Sequence, residues 1–251
     1  MAATGAALVT GASYGVGAAT ALALARAGYD VAVTATRIEN LASTVQALQA
    51  CGGRVLPLAL DLNSEADIAR VSQEVFAALG GINVLGNNAG ANLRKLAIDM
   101  TAAEWDAVMS VNIRGTFLLT QAVGRALIAA RRGGVIVNIA STHALAGAPE
   151  RSTYGISKAA LVGMTRMLAV EWAEHGIRVN AVAPGRLATP SASRAEKGAD
   201  KKYMDAMLER IPLHRLATVE EVAAAVVYLA SPAAASITGQ VLVLDGGLTV
   251  A

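Results

Sequence analysis

An alternation that runs almost the length of the chain limits the fold more than any other feature. Short apolar runs recur at 6–11, 30–36, 54–60, 82–87, 134–140, 177–183 and 240–247. Between them lie stretches with helical patterning at 16–28, 39–50, 65–79, 102–131, 152–174 and 219–231. Apolar runs this short, bounded by turn residues, suit strands buried on both faces. Strand and helix in turn give a parallel sheet with helices packed on both sides. The expected fold class is α/β: a doubly wound parallel sheet of about seven strands, formed by residues 1–251 as a single domain. Pro57 puts the third strand at an edge, because proline cannot donate to a central ladder. The region 102–131 is predicted to be a long helix broken near Gly115.

Apolar residues make up 54% of the chain and aromatic residues 4%. Ala, Val and Leu must therefore build the core, as covered parallel strands require. The net charge is +2, from 21 basic and 19 acidic residues, with no long basic block. Nucleic acid is not an expected partner. Cys51 is the sole cysteine, so no disulfide can form within the chain, which fits a reducing cytoplasm. No charged side chain precedes Arg26, but Gly5, Gly11, Gly15 and Gly17 interrupt that stretch and no basic segment leads it. It reads as strand, turn and helix, not as a signal peptide or membrane span. His143, His175 and His214 are not spaced as a metal pair, and no metal is expected. Residues 186–217 lose the alternation and gain charge. They leave the end of the sixth strand where open sheets bind ligands, so a substrate lid is expected there.

Three motifs carry chemistry. Thr10-Gly11-Ala12-Ser13-Tyr14-Gly15-Val16-Gly17 follows the first strand and opens the first helix. Glycines there let backbone approach a pyrophosphate, and the helix start offers free N–H groups. The sequence Asn87-Asn88-Ala89-Gly90 ends the fourth strand, and its two amides suit a wall for a flat ring. Ser141 follows the fifth strand, and Tyr154 stands four residues before Lys158 in "YGISK". Positions four apart share a helix face, so phenol and ammonium are neighbours.

In this combination the chain resembles the short-chain dehydrogenase/reductase family, a single-domain Rossmann fold. The resemblance rests on "TGASYGVG" (10–17), "NNAG" (87–90), Asn112, Ser141, "YGISK" (154–158), Pro184-Gly185 with Thr189, and "DGG" (245–247). It implies that Tyr154 is the general acid/base and that Ser141 polarises the substrate oxygen. Lys158 is implied to bond the nicotinamide ribose and lower the tyrosine pKa. Asn112 is implied to bend its helix and hold a water in a proton relay through Lys158. Dinucleotide contacts are implied at Gly11, Ser13, Tyr14, Gly15, Val16, Gly17, Thr36, Arg37, Asp61, Leu62, Asn88, Ala89, Gly90, Tyr154, Lys158, Pro184, Gly185, Leu187 and Thr189, with Asp61 at the adenine amino group. Bringing a phenol from its free pKa of about 10 to about 7 needs about 4 kcal/mol of differential stabilisation.

The second strand ends Thr34-Ala35-Thr36-Arg37, with no carboxylate before Glu39. A carboxylate there would favour NAD, whereas Thr36, Arg37 and Ser13 can bind a 2′-phosphate. NADP is therefore the expected cofactor, with NAD as the alternative. Arg94 and Lys95, with the lid residues Arg186, Arg194, Lys197, Lys201, Lys202 and Arg210, form a basic rim that could attract a carboxylate, a phosphate or an acyl chain on an acidic carrier, or be a solvated lid surface. His143, two residues past Ser141, is expected near the substrate. Relatives with this overall pattern include 3-oxoacyl-carrier reductases and sugar-acid dehydrogenases, and both substrate classes stay open, as does a dinucleotide-sensing regulator. Helix 152–174 carries Val162, Met167 and Val170 beyond one core stripe, and the helix before it carries Phe117, Leu118 and Leu119. Excess apolar faces suggest subunit contacts, and the resemblance implies a homotetramer.

Overall fold

Every apolar run named above becomes a strand. The computed structural model describes residues 5–188 and 201–251. Strands β1 (Gly5–Val9), β2 (Tyr29–Ala35), β3 (Val55–Ala59), β4 (Val84–Asn87), β5 (Gly134–Ile139), β6 (Ile177–Pro184) and β7 (Val241–Leu244) form one sheet in the order β3-β2-β1-β4-β5-β6-β7. All neighbours are parallel. Pro57 lies on β3, at one edge, as its missing N–H requires. From β1 the chain steps outward to β3, then crosses back to β4. The order reverses between β1 and β4, and a crevice opens there at the strands' C-terminal ends.

Helices α1 (Gly15–Arg26), α2 (Ala42–Gln49), α3 (Glu65–Leu79), α4 (Ala102–Met109), α5 (Thr116–Ala129), α6 (Ser152–Trp172), α7 (Lys201–Glu209) and α8 (Val219–Ala230) connect the strands. Local signals set several of their ends. Ser64 accepts a hydrogen bond from the Asp67 N–H at the start of α3, and Gly80 ends it in the left-handed region. Thr218 and Glu221 form a reciprocal cap on α8. Successive strand residues face opposite sides. Leu8 packs with Ile68, Val71, Leu119 and Val123 under α3 and α5. Ala7 and Val9 pack with Ala21 and Leu24 of α1, and Val137 and Val182 pack with Val222 and Val226 of α8. Both faces are thus covered.

Two expectations change. The 102–131 region does not break; it widens into a π-helical turn over Ser110–Gly115 that joins α4 to α5. The Thr116 hydroxyl donates to the Val111 carbonyl at 3.1 Å, which takes up a carbonyl of that turn. Gly115 lets the turn lie against Leu62, because a Cβ there would collide with the Leu62 carbonyl oxygen. The segment 186–217 is not irregular throughout. Lys201–Glu209 is α7, and Leu187 bridges to Ala217. The local charge hid the helical spacing of Met204, Met207 and Leu208. The part of the expected lid at 189–200, with Thr189, Arg194 and Lys197, lies outside the described residues.

Because the close approach at Gly115 is to backbone, relief requires the turn to move. Gly115→Ala is expected to lower stability by about 1–3 kcal/mol, the range for overpacking. A urea midpoint equal to that of the wild type would show that the turn yields freely.

Candidate active site

The first half of the site is the crevice beside β1. Gly11 and Gly15 have φ of 63° and 61°, in the left-handed region that favours glycine. Gly17 is buried beneath the turn, where a Cβ would collide with the Gly11 carbonyl and the Asn88 amide. Thr10 sits below, and its hydroxyl accepts from the N–H groups of Asn88 and Ala89, each at 3.0 Å. The Asn88 amide donates to the carbonyls of Thr10 and Gly11 at 3.0 and 2.9 Å. The expected wall of two amides is thus a brace: Asn88 straps the glycine turn to the end of β4. Asn87 is turned into the core, donating to Thr120 and Asn138 at 2.8 and 2.9 Å.

These contacts leave a cavity of about 480 Å³. Gly11, Ser13, Tyr14, Gly15, Val16, Thr36, Asp61, Leu62, Asn88, Ala89 and Gly90 all line it. Arg37 is exposed at the rim, with Glu39 at 3.9 Å. Pro184, Gly185 and Leu187 lie farther along, at the end of β6, where the Gly185 N–H donates to the Leu244 carbonyl at 2.8 Å. Thr189 is outside the described residues. A cavity walled by glycines at a helix start fits a dinucleotide.

The second half sits on α6. Lys158 is buried, its Nζ donates to the Ile139 carbonyl at 2.7 Å, and it lies 5.7 Å from the centre of the Tyr154 ring. The phenol and ammonium therefore share a face, as their spacing predicts. Ser141 is buried at the end of β5, and its hydroxyl accepts from the His143 N–H at 3.2 Å. The His143 ring meets the Tyr154 ring edge-on, with centroids 6.2 Å apart. Asn112, in the π-turn, accepts from the Ala91 N–H at 2.7 Å and donates to the Ala91 carbonyl and the Ser157 hydroxyl, each at 2.9 Å. Its Oδ1 and the Lys158 Nζ face the same glycine, 3.2 and 3.6 Å from where a Gly90 Cβ would be.

Burial acts on both ionisable groups of the pair. In the chain alone it raises the Tyr154 pKa above the usual 10.0, while the Ser141 hydroxyl and then the Arg151 charge act to lower it. Burial holds Lys158 itself down at about 8.

Two residues escaped the sequence reading. Ser157 donates to the Tyr154 carbonyl at 2.7 Å and accepts from Asn112, so it links the π-turn to the tyrosine's own turn. Arg151 stands one turn before Tyr154, and its Nη1 donates to the Asn92 side chain at 2.9 Å. Spacing from Tyr154 was the available signal for both.

Comparisons with known proteins agree with this fold. A family model described as enoyl-(acyl carrier protein) reductase matches residues 11–249. The 3-oxoacyl-[acyl-carrier-protein] reductase of Thermotoga maritima is 40% identical over 243 residues, 97% of each chain. The 2-dehydro-3-deoxy-D-gluconate 5-dehydrogenase of Escherichia coli is 36% identical over 241 residues, 96% of this chain and 94% of the other. A crystal structure from Agrobacterium tumefaciens, described as a candidate 2-deoxy-D-gluconate 3-dehydrogenase with bound NADP, gives a TM-score of 0.91 at 35% identity, covering 99% of this chain and 98% of that one. The chain belongs to the short-chain dehydrogenase/reductase family. It is an oxidoreductase that works between CH–OH and C=O.

The buried lysine gives a signed pH dependence. Its pKa of about 8 in the fold lies below the ordinary 10.5. Between those values the unfolded chain binds more protons, so stability rises with pH. From pH 7.5 to 9.5 the dinucleotide-free protein is expected to gain about 2 kcal/mol, and Lys158→Met to lose that gain. Urea midpoints at the two pH values would check this; a flat or falling wild-type profile would contradict it.

Proposed function

We propose that the protein interconverts a ketone and a secondary alcohol with NADP(H), working as one dinucleotide-binding and catalytic unit. The observation that carries this reading is Tyr154, Lys158 and Ser141 gathered beside a glycine-walled cavity. When bound, the nicotinamide supplies or accepts the hydride. Tyr154 gives the carbonyl oxygen its proton in the reducing direction and takes it back in the other. Ser141 donates a hydrogen bond to that oxygen and orients it. A lysine held at about 8 exchanges protons near neutral pH, so Lys158 can restore the phenol's proton as well as hold ribose hydroxyls. Asn112 positions the Ala91 backbone and α6 on either side. The residues that would hold the dinucleotide are those of the glycine turn, Thr36, Asp61 and Leu62, and Asn88 to Gly90. The end of β6 lies toward the nicotinamide.

Thr36 in the cavity wall and Arg37 at its rim, with no carboxylate at the end of β2, favour NADP over NAD. A 3-oxoacyl group or similar ketone is the leading substrate, in line with the Thermotoga maritima relative. A sugar acid is the second reading, favoured by arginines that gather near Tyr154. The setting is proposed to be the cytoplasm, where Cys51 stays reduced. Assembly is proposed to be a homotetramer. Between α5 and α6 runs a groove of about 530 Å³ lined by Phe117, Met164, Met167 and Trp172. Met167 in that groove is 63% exposed, and Val170, on the same helix but outside the groove, is 79% exposed, so α6 leaves apolar surface uncovered in the single chain.

Tyr154→Phe is expected to lower kcat by at least about 10³-fold, within the span of general acid/base contributions, while NADP affinity by calorimetry stays within about twofold. Retention of a tenth of wild-type turnover would remove Tyr154 from its role. The same assays should give kcat/KM for NADPH at least about tenfold above NADH, the worth of one charge-assisted contact. A preference for NADH would reassign the cofactor. Sedimentation velocity should return a species of four chains, and a monomer at micromolar concentration would exclude the assembly.

A further inference from the structure

Three arginines from separate parts of the chain lie in segments at the C-terminal side of the sheet. Arg94 lies in the loop after β4, Arg151 just before α6, and Arg186 in the loop after β6. Loops on that side of a parallel sheet carry the ligand-facing residues. The segment that presents Arg151 is held in a costly conformation. Glu150 has a φ of 60°, which non-glycine residues adopt at a cost. Its carbonyl accepts from the Lys95 N–H at 3.2 Å, and its carboxylate pairs with Arg94 at 3.0 Å. Strain at a point pinned across the crevice fixes where the next residue's side chain starts.

Arg151 is partly buried, and its neutral partner Asn92 takes one of its five N–H donors. Among the described residues no carboxylate lies within 4.0 Å of its guanidinium, although Arg70, Arg94, Arg114 and Arg215 all have one. Burial first, then the charges of Arg94 and Arg186, hold the Arg151 guanidinium below its usual pKa. Arg94 is already paired with Glu150, so the guanidinium that stands without an ion pair beside the crevice is that of Arg151. Arg151 and His143 also line a cavity of about 270 Å³ whose other walls include Ala146, Ala148, Ile156 and Ala159. That is room for a few-carbon fragment. His143, in the wall of that cavity, meets the Tyr154 ring edge-on with centroids 6.2 Å apart, so an anion held at Arg151 has one side chain between it and the phenol ring.

We propose that Arg151 binds the carboxylate of a small acidic substrate, so that the enzyme selects keto and hydroxy acids over neutral analogues. This rests on the ketone–alcohol reading above and narrows its substrate class. A guanidinium matches a carboxylate through two parallel N–H donors, which a lone ammonium cannot do.

The test uses two acid–neutral pairs: acetoacetate with methyl acetoacetate, and D-gluconate with sorbitol. Calorimetry on the NADP-loaded wild type should show at least about tenfold tighter binding of the acid in one pair or both. Arg151→Gln should reduce that acid-to-neutral ratio at least tenfold, and Arg151→Lys should keep part of it. Equal loss for acid and neutral partner would mean a structural role and would overturn the proposal. So would a wild type with no acid preference in either pair, which keeps the idea testable should Arg151→Gln fail to fold. Turnover is read separately. Acid-selective binding without reduction or oxidation would sink the ketone–alcohol reading and leave the carboxylate site standing. Turnover of methyl acetoacetate as fast as acetoacetate, with no acid preference in binding, would do the reverse.

Discussion

The Asn112 amide, in the widened turn between α4 and α5, holds the Ala91 backbone through two hydrogen bonds and Ser157 through a third. Ala91 belongs to the loop that closes the dinucleotide crevice, and Ser157 to the helix that carries Tyr154 and Lys158. The two halves of the site therefore meet at one buried side chain. Each such bond is worth about 1 kcal/mol net, but a lost partner leaves a buried donor or acceptor unpaired, at about 1–3 kcal/mol. The π-turn exists to bring that amide inward, and Gly115 permits it by letting backbone touch backbone at Leu62. Register in the site thus begins with a missing methyl group outside it.

Several features of the site work against the fold. A lysine is buried without a carboxylate, a tyrosine is desolvated, a glutamate takes a glycine's conformation, and arginines sit close enough to repel one another. Each costs free energy in the chain by itself, and such costs gather at functional sites. The sheet beneath can carry that load. Leu8, Val9, Val31, Val33, Ile136 and Val137 are fully enclosed, and helices cover both faces.

Strand number, the edge position of β3 and the glycine turn were legible in the sequence because they follow from local rules. Short apolar runs, a proline and closely spaced glycines mean the same thing wherever they occur. The pairing of Tyr154 with Lys158 was legible for the same reason, since helical spacing sets it. What stayed hidden depends on distant partners. Asn87 and Asn88 read as two equivalent amides, yet one turns into the core toward Thr120 and Asn138 while the other straps a turn more than seventy residues away. Arg151 was one charge in a polar stretch until Asn92, Arg94 and Arg186 came beside it. Burial of the phenol was hidden as well, because it depends on the whole fold and the i+4 spacing does not. A distortion near Asn112 and Gly115 was legible, but its form, a π-turn lying against Leu62, was not, because that partner lies far away in sequence.

Pro57 has a consequence at the scale of several molecules. It leaves a gap in the backbone donors along the outer side of β3, so that border is a poor template for another strand. The opposite border, β7, has no such block, and Leu242 there is 38% exposed. A sheet that can extend from one border only cannot stack head to tail into a filament. If two copies join through β7, they must do so about a two-fold axis, and that union is complete at two.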